Sequence, residues 1–297
     1  MKLVYATDGF PASIAAGQLI AEVADPDRVE VSVVSVAPHG SLHLEHIPLQ
    51  LDPIEARKQQ SLEIVEAAVH RLEADGFKVD GESLEGDPGD EILGLIESRG
   101  YGLTVVGSGS RSWLGSILLG GVSTAILHAS PTSVLVVHTY QSVGTPRIVI
   151  GADGSRGAEL ATRNVIDFAD PKRCQVEVVS IIRPPERSLQ VQHQSSSTEV
   201  NGRVDDKITS EARGSAEQLQ TLLHDAGFHA RARTALGHPS EQMLLEAQAD
   251  EVALIALGST GRGRARPPLM GSVSDQVVRH ASATLVARLD ARTTPDS

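Results

Sequence analysis

The chain has 297 residues, of which 40% are hydrophobic, 22% are charged and 3% are aromatic. This length suits one large domain or two medium ones, and the composition is typical of a globular protein rather than a disordered one. The 38 acidic and 26 basic residues give a formal net charge of -12, which argues against a nucleic-acid binder because phosphate contacts need a basic surface.

The cysteine content and the lengths of the apolar runs exclude further kinds of protein. Cys174 is the single cysteine, so an internal disulfide and a zinc cluster held by thiolates are both excluded. The opening MKLVYATDGF does not have the pattern of a signal peptide, and no apolar run approaches the roughly 20 residues of a membrane span. We therefore expect a soluble cytoplasmic protein without a membrane partner.

The first half of the chain alternates short β-branched runs with longer helical patterns. The predicted strands are KLVYAT, VEVSVVSV, a run ending at the LEGDP turn, YGLTVVG and TSVLVVH; the clearest predicted helices are SIAAGQLIAEVA and PIEARKQQSLEIVEAAVHRLEADG. Alternation of this kind indicates a parallel sheet covered by helices on both faces. The strands lack a clean in–out alternation, as expected where both faces of a sheet are buried.

The second half repeats the first in the same order. Two anchors are offset by 145 residues (153 minus 8), and three later anchors by 151 (237 minus 86), which implies one six-residue insertion. The anchor pairs are Asp8/Asp153, Val36/Ile181, Gly86/Gly237, Gly107/Gly258 and Gly120/Gly271. The insertion falls at the polar run QVQHQSSSTEVNG, which is typical of a loop.

We interpret this pattern as a tandem duplication of one doubly wound α/β domain with a five-stranded parallel sheet flanked by helices. The predicted domains span residues 1–142 and 143–292, followed by a tail, 293–297. The last strands of the two copies, TSVLVVH and ATLVARL, are expected to pair and mimic a homodimer within one chain. A further homodimer of whole chains and a protein partner remain open.

The loop GSTGRGRARPPLMGSVSDQ, residues 258–276, is the strongest candidate for ligand chemistry. In doubly wound sheets, ligands bind outside the carboxyl ends of the strands, and a helix N-terminus suits phosphate. Taken alone, a Gly-rich loop is often an ordinary turn, a Gly–Ser pair often only an N-cap, and Asp153–Gly154 a common turn pair. Their combination at one sheet edge, with three arginines, favours binding of a nucleotide or another phosphate.

The spacing G-x-x-G, nine residues, then G-S in this loop resembles the ATP-binding signature of the universal stress protein family. The GADGS and LGHP stretches stand at the matching places, so the resemblance covers both copies. It implies strand order 3-2-1-4-5 in each domain and an ATP held mostly by backbone. Mg²⁺ is expected to accompany the triphosphate, because magnesium commonly binds nucleotide phosphates. The resemblance also implies that Asp153 contacts the ribose, the Ile181 main chain the adenine, and the Gly-rich loop the phosphates. The expected binding residues are Gly151, Asp153, Ile181, Gly237, Gly258, Gly261, Arg262, Gly263, Gly271 and Ser272.

The first copy departs from this signature. Its loop GSGSRSWLGSILLGG has Ser110 in place of Gly261 and Gly121 in place of Ser272, and Ala6 stands in place of Gly151. We expect weaker or absent nucleotide binding there. The corresponding weaker site comprises Asp8, Val36, Gly107, Ser110, Gly120 and Gly121.

Other candidate sites carry less weight. The chain has no P-loop and no G-x-S-x-G elbow, and we predict no catalytic residue. His39, His43 and His46 could bind a metal, but a solvated loop is the favoured interpretation. The leading hypothesis is a nucleotide-responsive stress regulator that binds ATP. A slow ATP hydrolase or ATP-consuming transferase, and a nucleotide-free interaction protein, are the alternatives.

Overall fold

The computed structural model describes residues 1–38, 53–109, 119–142, 144–184, 206–249, 251–261 and 270–288. In the first half, the elements are β1 (Lys2–Ala6), α1 (Pro11–Val23), β2 (Glu30–Pro38), α2 (Pro53–Ala74), β3 (Lys78–Gly86), α3 (Pro88–Arg99), β4 (Leu103–Gly107), α4 (Gly121–Ala129) and β5 (Ser133–Val137). In the second half they are β6 (Arg147–Ala152), α5 (Arg156–Phe168), β7 (Gln175–Ile182), α6 (Asp206–Asp225), β8 (His229–Leu236), α7 (Pro239–Ala247), β9 (Val252–Gly258), α8 (Ser272–His280) and β10 (Ala283–Ala287).

The described strands form one sheet in the order β3-β2-β1-β4-β5-β10-β9-β6-β7-β8. Within each half the order is therefore 3-2-1-4-5 and every pair is parallel, so the predicted α/β architecture is confirmed. β5 and β10 join the halves as an antiparallel pair with Val137 opposite Ala283. The last strands of the two copies thus pair with each other, as the sequence comparison predicts.

Burial follows position in the sheet. Every residue of the two central strands, β5 and β10, is buried, because helices cover both faces there. The edge strands β3 and β8 carry exposed polar side chains, which discourage pairing with other chains. None of the helices in the described parts of the chain is long and apolar enough to cross a membrane.

The two halves also meet through the ends of α1 and α5. The Asp170 N–H donates to the Val23 carbonyl and the Asp25 N–H to the Phe168 carbonyl, both at 2.9 Å. Cys174 is buried beside this contact, and burial raises the pKa of its thiol to about 12. The thiol therefore stays protonated and packs between the halves.

Matching turns place α3 and α7 over the carboxyl edge of the sheet. Gly86 (φ 149°) ends β3 and Gly237 (φ 143°) follows β8, each just before a helix that begins with proline. The positive φ of Gly237 is a conformation that residues with a side chain rarely adopt, so the turn favours glycine. This turn explains why LEGDP and LGHPS recur in the two copies.

Candidate functional site

A cavity of about 640 Å³ lies in the second half, where β6, β7 and β9 end. The first turns of α5 and α8 and one side of α7 complete its walls. Its lining residues are Gly151, Ala152, Asp153, Ser155, Ala158, Val179, Ile181, Arg183, Pro239, Met243, Leu257, Gly258, Thr260, Gly261, Gly271, Ser272, Val273 and Ser274. This volume is within the usual range for a pocket that binds a small molecule.

Seven of the ten predicted binding residues line this cavity. They are Gly151, Asp153, Ile181, Gly258, Gly261, Gly271 and Ser272. Gly237 is not among the lining residues; it forms the turn that leads to Pro239, which does line the cavity. Arg262 and Gly263 lie outside the described residues. A role in binding remains a prediction for all ten.

The floor of the cavity is backbone packed directly on backbone. A Cβ at Gly258 would lie 2.6 Å from the Gly157 carbonyl carbon, and a Cβ at Gly157 would lie 2.6 Å from the Thr260 oxygen. Real Cβ atoms do not approach so closely, so both residues must be glycine if the end of β9 is to touch the start of α5. The loop that leaves β9 is held against α5 by this contact.

The first half has the same close contact between strand end and helix. Its second glycine, however, lies in the loop after the strand and not in the helix. A Cβ at Gly107 would lie 2.3 Å from the Ser13 nitrogen, so β4 also needs glycine at its end. Ala12 occupies the position of Gly157, and Gly109 the position of Thr260; a Cβ at Gly109 would lie 3.2 Å from the Ala12 Cβ. Close packing of strand on helix is therefore a property of the fold in both halves.

Packing also explains why residue 151 is glycine. A Cβ at this position would lie 2.5 Å from Leu257 Cδ2. In the first half, Ala6 stands in its place and the shorter Val106 stands in place of Leu257. The change from glycine to alanine, which the sequence comparison interprets as a lost binding feature, is accompanied by a smaller neighbour.

The N-terminus of α8 opens into the cavity. Gly271 is the N-cap residue and no side chain caps the helix, so Ser272 is the first helical residue and not the cap that the sequence allowed. The Gly271 N–H donates to the Ser259 carbonyl at 2.7 Å, and Ser274 Oγ donates to the Gly258 carbonyl at 2.8 Å. The first amides of a helix have no partner within it, so those at Ser272 to Ser274 can serve an anion.

Asp153 lies at the corner between α5 and the Gly-rich loop. Its Oδ1 accepts from the Ser155 N–H at 3.0 Å, and Ser155 Oγ caps α5 by accepting from the Ala158 N–H at 3.2 Å. A Cβ at Gly261 would lie 2.6 Å from Asp153 Oδ2, so the glycine lets the loop pass over the carboxylate.

The equivalent carboxylate of the first half is bound differently. Asp8 Oδ1 accepts from Ser13 Oγ at 2.7 Å and from the Phe10 N–H at 3.0 Å. Ser13 occupies the position of Ala158, which has no hydroxyl. The first site therefore differs from the second at this corner as well as in its loop. Ser110, one of its predicted residues, lies outside the described part of the chain.

The remaining wall is apolar and was largely missed from the sequence. Val179, Met243 and Leu257 line it together with Ile181, which lies one residue beyond the last β6–β7 pair, Ala152 with Ser180. Val179 could have been inferred because it lies two residues before Ile181 on the same face of a strand. Met243 lies on α7, in a segment that contains no motif, so no local signal pointed to it.

A polar clamp holds α7 to the sheet beside this wall. Glu177 on β7 pairs with Arg147 at 2.5 Å and also with Arg233, whose Nη2 lies 2.5 Å from Glu246 on α7. Burial alone would raise the pKa of Glu177, but the hydrogen bonds and charges of Arg233 and Arg147 outweigh it and lower that pKa. Glu177 is therefore a carboxylate at neutral pH and helps position α7.

Among the described residues, no group of three or more His, Cys, Asp or Glu side chains is arranged to hold a metal ion. The predicted histidine cluster, His39, His43 and His46, lies outside those residues. His128 and His280 lie in the last turns of α4 and α8, where a cation suits the helix dipole.

Comparison with known proteins agrees with the duplication. A family model described as "Universal stress protein family" matches residues 1–138 and again residues 144–287. The chain belongs to the universal stress protein family. A universal stress protein of Mycobacterium tuberculosis is 26% identical over 306 residues, which cover 97% of this chain and 96% of that protein. A universal stress protein of Mycolicibacterium smegmatis is 28% identical over 201 residues, 64% of this chain and 62% of that protein's length.

Two solved structures show the same fold over nearly the whole chain. The crystal structure of a universal stress protein from Archaeoglobus fulgidus has a TM-score of 0.68 at 20% identity and covers 97% of this chain and 98% of its own. A putative universal stress protein from Pseudomonas aeruginosa has a TM-score of 0.61 at 15% identity, with coverage of 97% and 93%. The tandem universal stress protein fold predicted from the sequence is thus confirmed.

Proposed function

We propose that this universal stress protein binds one ATP in its second half and acts as a nucleotide-responsive regulator of the stress response rather than as a metabolic enzyme. The observation that carries the proposal is the cavity of about 640 Å³ with an apolar wall at one side and the uncapped N-terminus of α8 at another. A nucleotide has the matching parts, since its base is flat and largely apolar and its phosphates are anionic.

The base and ribose would occupy the side formed by β6, β7 and α7. Adenine would pack among Val179, Met243 and Leu257, with its polar edge at the Ile181 main chain. Asp153 stands at the corner between this wall and the Gly-rich loop, where its carboxylate can accept from ribose hydroxyls. These roles agree with those that the family resemblance implies.

The phosphates would lie at the start of α8. Backbone amides of its first turn and the Ser272 hydroxyl supply donors, and the helix dipole favours negative charge at this end. Arg262 and Gly263 follow Gly261 in the sequence and would extend the phosphate site. Mg²⁺ would enter with the triphosphate, because it commonly takes its ligands from substrate phosphates, water and one or two carboxylates.

A regulatory role is supported by the connection of this site to the first half. α8 begins at the cavity, and the carbonyl of Val278 near its other end lies 2.7 Å from His138 Nε2 of the first half. His138 Nδ1 lies 2.6 Å from the Ser108 carbonyl, in the loop of the weaker site. A ligand that binds one arrangement of α8 better than another would therefore shift the contact between the halves.

Equilibrium dialysis against ATP tests the proposal with a matched pair of variants. Gly271→Glu is sterically tolerable, because φ is -68° and a Cβ would lie 3.4 Å from its nearest neighbour, the Ser259 oxygen. Its carboxylate would repel phosphate, so we expect at least a tenfold loss of affinity, roughly 1.4 kcal/mol or more. Gly120→Glu makes the same change at the equivalent N-cap of the first half and should leave binding intact. Absence of ATP binding by the unmodified chain at millimolar concentration would refute the proposal.

Consumption of ATP, measured as the formation of ADP, AMP or phosphate, distinguishes the alternatives. A slow ATP hydrolase or an ATP-consuming transferase would show sustained turnover, the latter only with a second substrate. A nucleotide-free interaction protein would bind no ATP in the dialysis. We expect bound nucleotide with little or no turnover.

A further inference from the structure

A second cavity, of about 460 Å³, lies at the junction of the two halves and takes no part in the nucleotide site proposed above. One wall is the side of α5 that carries Arg156, Arg163 and Asn164. The adjoining wall includes Thr132 and Ser133 at the start of β5. Arg288, which follows β10, also lines it, so both copies of the duplication contribute. We refer to it as the junction cavity.

The junction cavity is cationic in a chain whose formal net charge is -12. Its charged lining residues are three arginines and Glu159. Glu159 pairs with Arg163 through Nε and Nη2 at 3.1 and 2.9 Å. Within the described parts of the chain, the guanidinium groups of Arg156 and Arg288 have no carboxylate partner.

Arg288 is held in place by backbone carbonyls and is partly buried. Its guanidinium donates to the carbonyls of Leu127, His128 and Ser130 at the end of α4, while its buried Nε has no partner within the described structure. Burial lowers the pKa of this arginine, since its surroundings offer carbonyl dipoles but no full negative charge. An anion in the adjoining cavity would supply that charge.

The equivalent place in the other half lacks the polar groups that α5 contributes. Counting back 145 residues, Pro11, Gln18 and Leu19 stand in place of Arg156, Arg163 and Asn164. Leu19 is completely buried among apolar residues, whereas Asn164 is 8% exposed and donates to Ser133 Oγ at 2.9 Å. Because α1 packs with leucine at this position, the fold does not require the polar Asn164 that α5 has there. The polar residues are therefore specific to the α5 side of the junction.

We propose that the junction cavity binds a small organic phosphate, whose phosphate group is held by Arg156 and the Ser133–Asn164 pair beside the fixed charge of Arg288. Arginine forks and neutral donors such as hydroxyl and amide groups complement phosphate oxygens. The cavity is larger than one phosphate ion, which leaves room for a metabolite-sized organic part. Such a ligand would contact both halves at once and stabilise their junction.

Thermal unfolding of the full-length Gly271→Glu variant in inorganic phosphate, against chloride at equal ionic strength, tests this inference. That background removes the phosphate end of the nucleotide site, so a response there belongs to another site. We expect a saturable rise of Tm with phosphate. Arg156→Gln and Asn164→Leu should each raise the concentration that gives half of the rise at least tenfold. Arg213→Gln, an exposed change on α6, should not.

Two results would overturn the proposal. One is the absence of a saturable response in the Gly271→Glu background, which would assign any phosphate effect to the nucleotide site. The other is an equal response in the Arg156, Asn164 and Arg213 variants, which would assign it to general ion effects. A failure to bind ATP in the dialysis would leave the interpretation of these phosphate experiments unchanged, because the two cavities are separate.

Discussion

At the scale of single residues, the glycines of the cavity floor are fixed by the atoms next to them. Gly258 touches the backbone of Gly157, and Gly151 leaves room for the side chain of Leu257. Neither contact requires a ligand. The same residues line the cavity, so the packing that joins β6, β9 and α5 also exposes backbone that a nucleotide could approach.

The pair Gly151 and Leu257 can be tested against its counterpart, Ala6 and Val106. Gly151→Ala should destabilise the protein by about 1–3 kcal/mol, because the new methyl group would lie 2.5 Å from Leu257 Cδ2 and that side chain would have to shift. Adding Leu257→Val recreates the combination of the first half and should recover most of that loss, as measured by urea denaturation. Losses that simply add in the double variant would show that the two positions do not interact.

How far the site could be predicted depends on where each residue lies. Asp153, Gly258 and Gly271 recur at fixed offsets in both copies, and comparison of the copies singles out the first two as residues at strand ends and Gly271 as the residue before a helix. Met243 and the hydrogen bond that occupies the Gly271 amide could not be predicted, because both depend on how separate segments meet. The sequence also could not distinguish glycines that serve packing from glycines that serve binding.

At the scale of elements, strand and helix positions were predictable because apolar runs and turn residues recur with the same rhythm twice. The single ten-stranded sheet required pairing of β5 with β10, which the matching last strands suggested. The clamp from Glu177 to α7 was not predictable. It joins β6, β7, β8 and α7 through charged residues that look like ordinary surface positions in the sequence.

The clamp gives a pH-dependent prediction. The pKa of Glu177 is lower in the folded chain than its ordinary value of 4.5, so its stabilising effect is present above about pH 4.5 and is lost as the pH falls through the folded value. Glu177→Gln should therefore cost about 1–3 kcal/mol at pH 7, because two arginines lose a charged acceptor. The difference from the unmodified chain should shrink in acid.

Denaturant midpoints at pH 7 and at successively lower pH measure this effect. Glu63→Gln, on the exposed side of α2, is the control and should have little effect at either pH. A constant difference between the Glu177 variant and the unmodified chain across the acid range would contradict the assignment.

At the scale of the whole molecule, the duplication has produced two unequal halves within one sheet. The second half has the cavity that we propose binds a nucleotide, whereas the first has a different loop sequence and a carboxylate bound by Ser13. His138 joins the loop of the first half to α8 of the second. The junction cavity lies between the halves and is built from both.

His138→Ala should loosen this connection. Removing the ring leaves the carbonyls of Ser108 and Val278 without that partner, and we expect a loss of about 1–3 kcal/mol in chemical denaturation. His70→Ala is the matched control, because the His70 side chain is 87% exposed. If the proposed coupling through α8 is right, His138→Ala should also change ATP affinity while His70→Ala does not. Equal ATP affinity in all three proteins would contradict the coupling.

The most direct test of the central claim is to identify by mass the nucleotide that denaturation releases from the freshly purified protein, followed by saturation of the emptied protein with ATP. The account predicts an adenine nucleotide, at no more than one per chain, that is absent from the Gly271→Glu variant and present in Gly120→Glu. A chain that carries no nucleotide and takes up no ATP at millimolar concentration would contradict it, and so would saturation at two ATP per chain.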